Sequence, residues 1–79
     1  MPDLHGLDRD REMHVRHFEE AEQHVAQGKR HIAEQEDRIM DLARHGYDTT
    51  EARKLLDNFY ATQVLHIQHR DRIRKEMEG

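Results

Sequence analysis

Eight histidines among 79 residues are the side chains of this protein best suited to chemistry, and three of them are evenly spaced. The segment HFEEAEQHVAQGKRHIAEQEDRI, residues 17–39, repeats a pair at intervals of seven: His17-Phe18, His24-Val25, His31-Ile32 and then Arg38-Ile39. Imidazoles ligate transition metals, and they change charge close to neutral pH. On a helix, residues seven apart are separated by about 10.5 Å along the axis, so His17, His24 and His31 cannot share one ion. Only neighbours three or four apart could chelate within a helix. His14/His17 and His66/His69 are such pairs, and Glu20/His24 is a mixed one. Neither a Glu-x-x-His pair nor a His-Glu-x-x-His motif occurs. No metal and no other cofactor is expected on these grounds.

Proton response is the second chemistry open to the row. Charging all eight histidines would carry the formal charge from -4 to +4. His17, His24 and His31 are therefore a candidate pH-sensitive margin, along which assembly would weaken below about pH 6. The competing reading makes them polar border residues paired with acids such as Glu20 and Glu34.

Other reactive arrangements are thin. The chain has neither cysteine nor serine, so it lacks a thiol or serine nucleophile, a disulfide framework and a thiolate metal site. His69-Arg70-Asp71 shares its letters with a kinase catalytic loop, but the glycine-rich loop and magnesium-binding motif are missing. His69 and Asp71, two apart, point to different sides of a helix. No enzymatic activity is expected. Arg70, Arg72, Arg74 and Lys75 gather near the C-terminus, but Asp71, Glu76 and Glu78 dilute them and no aromatic interleaves for base stacking. Nucleic acid is not an expected partner.

The elements that carry these residues follow from composition and punctuation. Only 34% of the chain is hydrophobic and 38% is charged, with a mean hydropathy of -1.18, a profile that would mean disorder if the apolar residues were scattered. They are periodic instead. Phe18, Val25, Ile32 and Ile39 recur at seven, with Ala21, Gly28, Gln35 and Leu42 three residues after each, which is the coiled-coil core pattern. The histidine row then flanks the seam. The segment RHGYDTTEA, residues 44–52, breaks the pattern once. Gly46 suits a left-handed helix end, Asp48 and Glu51 suit a capping box, and Tyr47 and Ala52 suit a hydrophobic staple. The spacing predicts a loose stretch over 1–7, a helix over 8–45 capped by Asp8, a turn over 46–48 and a helix over 49–77. So short a connection forces an antiparallel helical hairpin.

Counting back from the turn, Gly28 should face His66, Ala21 should face Ile73, and Gln35 should approach Phe59. The small Ala21 and Gly28 would let large residues interdigitate. On the second helix Ala52, Leu55, Phe59, Thr62, His66 and Ile73 form the stripe for this seam. Leu56, Tyr60, Val64 and Ile67 form another, rotated by about a quarter turn. The first helix can cover only one of these stripes. The second stripe is expected to be a self-association face, giving a homodimer of hairpins arranged as a four-helix bundle; the alternative is a lone hairpin that covers it with a different protein.

The strings HIAEQEDRI, GYDTTEARKLL and TQVLHIQHRDRI resemble short uncharacterised helical proteins of alphaproteobacteria. They share a Gly-x-Asp-Thr-x-x-Ala-x-x-Leu-Leu pattern, here Gly46, Asp48, Thr49, Ala52, Leu55 and Leu56. The resemblance implies a bacterial setting and no particular activity. No apolar run approaches the roughly 20 residues that span a bilayer, and MPDLHGLDRD lacks the apolar core of a secretory signal, so a cytoplasmic protein is expected. The sequence predicts a small self-associating interaction or regulatory module. The alternatives are a histidine-rich metal or ligand binder and a weak nucleic-acid binder.

Overall fold

In the computed structural model, which describes the backbone of residues 4–78 and the side chains from residue 9, two helices pack as an antiparallel hairpin. Helix α1 spans Leu4–Arg44 and helix α2 spans Thr50–Glu78. Together they form a rod of 71 × 15 × 14 Å. Residues 4–7, expected to be loose, are helical, so α1 starts ahead of the expected Asp8 cap; residues 1–3 of that stretch lie outside the described residues.

Backbone chemistry fixes the turn. Gly46 adopts a φ of 78°, open to glycine because it has no Cβ to clash. The Tyr47 N–H donates to the Leu42 carbonyl at 2.9 Å and the Gly46 N–H to the Ala43 carbonyl at 3.0 Å. These are the paired bonds of a Schellman end, which satisfy carbonyls that the helix cannot. His45 adds a third bond, its Nδ1–H donating to the Asp41 carbonyl at 2.8 Å.

The start of α2 differs from the expected capping box. The Thr49 carbonyl accepts the first helical bond, from the Arg53 N–H at 2.9 Å, so the cap position falls on Thr49. Asp48, one residue earlier, accepts from the Thr50 N–H at 3.0 Å and from the Thr50 hydroxyl at 2.7 Å. Glu51 turns instead to Lys54, 3.4 Å away. The connection is longer than the three residues expected because aspartate satisfies the second residue after it, an Asx turn, before the helix begins.

In α1 the inward residues are the eight of the three-four pattern: Phe18, Ala21, Val25, Gly28, Ile32, Gln35, Ile39 and Leu42 are buried or half-buried, while the remaining described side chains of the helix are exposed. In α2 the inward line runs Ala52, Leu56, Phe59, Gln63, His66, Arg70 and Ile73, with Ile67 half-buried beside it. Two members of the expected stripe therefore lie outside the seam: Leu55 is 42% exposed and Thr62 is also exposed. Their places are taken by Leu56 and Gln63, one residue further round the helix.

Gly28 explains the exchange. Its missing side chain leaves a hollow that Gln63 fills, its amide lying where a Cβ on Gly28 would stand. The Gln63 Nε2–H then donates to the Val25 carbonyl at 2.8 Å. Threonine has neither the length nor the amide to do this. His66 lines the same cleft as Gly28 and meets the His24 ring. Gln35 donates its Nε2–H to the Ala52 carbonyl at 2.8 Å, and the Phe59 ring meets His31. Among the described residues, the buried apolar ones are Ala21, Val25, Ile39 and Ile73. That is a thin core, each of its larger members contributing roughly 1.5–3 kcal/mol by burial.

Candidate interaction surface

The seam has two flanks. Residues just before each core position of α1 project to one side, and residues just after it project to the other. The first flank carries the histidine row. A small cleft of about 70 Å³ opens there, between His24, Gly28 and His31 of α1 and Phe59, Gln63 and His66 of α2. His24 meets His66 edge to face with ring centroids 5.4 Å apart, and His31 lies tilted against Phe59 at 5.8 Å. His17 lines a neighbouring groove with Glu20, His69 and Arg72. His24 borders both openings, so the three margin histidines follow one another along the rod. Among the described residues, no three His, Asp or Glu side chains are grouped so that they could hold a metal ion.

The second flank is apolar. A groove of about 540 Å³ runs between the helices, floored by Ile32 and Ile67 and walled by Ala33, Met40, Tyr60 and Val64, with Lys29, Glu36 and Asp37 on its rim. Met40 is 57% exposed and Val64 is 51% exposed. The Tyr60 hydroxyl donates to the Glu36 carboxylate at 3.1 Å. That bond, ahead of a smaller desolvation effect, raises the phenol above its ordinary range, because ionisation would set two anions face to face.

Of the expected self-association stripe, Tyr60, Val64 and Ile67 line this groove, whereas Leu56 is half-buried on the seam line. Half of the groove comes from α1, and the stripe on α2 gave no hint of that half. A signal for it exists: Ala26, Ala33 and Met40 recur at seven, each directly after a core residue (Val25, Ile32, Ile39).

Two members of the basic cluster near the end of α2, Arg70 and Arg74, are engaged within the hairpin. Arg70 pairs with Asp71 at 3.0 Å. The Arg74 guanidinium lies 5.5 Å from the centre of the Phe18 ring and 3.8 Å from the Glu22 carboxylate. Among the described residues, no helix is long and apolar enough to cross a membrane. No family model, no curated protein and no solved structure matches the chain.

Proposed function

We propose that this hairpin is a small self-associating interaction module of a bacterial cytoplasm, and that the apolar groove of the second flank is its working surface. The observation that supports this reading is the groove itself: Met40, Tyr60 and Val64 hold apolar surface in solvent over an apolar floor of Ile32 and Ile67. Contiguous exposed apolar surface of this kind marks association sites. The thin seam argues in the same direction, since chains of this size usually gain stability by assembling. Burying one groove against another would give the four-helix bundle that a single hairpin cannot form. In this role the chain works by presenting a surface, with no catalytic step.

Sedimentation velocity tests the reading. The native chain is expected at twice its 9.5 kDa mass at micromolar concentration. Val64→Asp, which puts a carboxylate in the groove wall, is expected to give single chains of unchanged helix content. A native chain that sediments as a monomer would overturn the proposal.

A further inference from the structure

Resting on the reading of the groove as a self-association face, we infer that two hairpins dock antiparallel, α1 on α1 and α2 on α2. The two-fold axis crosses α1 at the level of Ala33.

The rim charges carry this inference. Lys29 and Asp37 lie four residues before and four after Ala33, on the groove side of α1, and neither makes an ion pair among the described residues. A two-fold at Ala33 sets Lys29 of each copy opposite Asp37 of the other, making two equivalent pairs. The same axis brings Ala33 onto Ala33, where a small residue lets two helices approach closely. It also places Met40 opposite Ala26, which lie seven residues either side of it, so that large meets small.

α2 of one copy then lies antiparallel on α2 of the other, with Tyr60, Val64 and Ile67 covered between them. The rival docking, a two-fold along the rod, would lay α1 on α2 and leave Lys29 without Asp37 opposite.

The absence of cysteine makes the test clean. Under mild oxidation Ala33→Cys is expected to link to itself as a covalent dimer, while Gln27→Cys, on the histidine flank, stays unlinked. Lys29→Glu alone and Asp37→Lys alone should each weaken the dimer by about tenfold or more through repulsion at both pairs. Mixing these two charge variants should restore a tight heterodimer. The carboxylate introduced at position 29 then meets the ammonium introduced at position 37, and the native Lys29–Asp37 pair is kept on the other side of the axis. Suppose instead that Ala33→Cys does not link to itself and links only to Val64→Cys when the two variants are mixed. That result would overturn the register. So would charge variants that associate as tightly as the native chain. A native chain that is monomeric in the same sedimentation runs would fail the self-association reading itself, and the register with it.

Discussion

At the scale of single residues, the most informative position is the Gly28–Gln63 contact. Gln63 Nε2 is satisfied by the Val25 carbonyl, but its Oε1 is buried without a conventional partner. It stands over the glycine Cα, where only a weak C–H···O contact is open to it. A buried acceptor left unpaired costs about 1–3 kcal/mol, whereas the neutral bond on Nε2 returns only about 1. Replacing Gln63 with Met, which keeps length and drops the amide, is therefore expected to raise stability in urea titration. Gly28→Ala should not raise it: the roughly 1 kcal/mol of helix propensity gained is offset by expelling Gln63 from its hollow. Asp48 makes a pH-dependent contribution. Its two bonds from Thr50, the hydroxyl first, hold its carboxyl below the ordinary aspartate range. A group depressed in the folded state stabilises above its unfolded pKa and stops doing so as pH falls through its folded one. The difference in melting temperature between the native chain and Asp48→Ala should thus be full near pH 6 and close as pH approaches about 2. A difference that stayed constant would mean that Asp48 does not titrate with folding.

At the scale of the helices, α1 was readable and α2 only in part. Eight inward positions in α1 follow a strict three-four alternation, because small and apolar residues leave a single stripe. In α2 apolar side chains run at Leu55 and Leu56 and again at Val64, Leu65 and Ile67, so two seams fit equally well. The choice fell on the hollow at Gly28, a long-range fact that no local spacing contains. Polar filling hid it further, since Gln63 does not look like a core residue. The histidines belong at this scale as well, because the His24–His66 contact joins the two helices. Their ring centroids are 5.4 Å apart, on the flank opposite the apolar groove.

At the scale of the whole molecule, the Schellman turn and the periodic seam made the antiparallel hairpin legible, because Gly46 and the heptads are local signals. The groove was half legible: Tyr60, Val64 and Ile67 stood out as surplus apolar surface on α2, but the α1 wall of Ala33 and Met40 emerges only once the helices are side by side. One further property follows from the unequal lengths of the helices, 41 residues against 29. The end of α2 reaches His14 and Val15 of α1, where Glu76 and Met77 meet them. Among the described residues, the first turns of α1, before Arg11, run on past that end with no part of α2 alongside. Helix of that length has little stability in water without tertiary contacts. Amide hydrogen–deuterium exchange should therefore be graded along α1: complete within seconds before Arg11, slowed near Phe18, and slowest between Val25 and Ile39. Protection would thus rise along one continuous helix, with the seam rather than the helix itself setting the local opening energy.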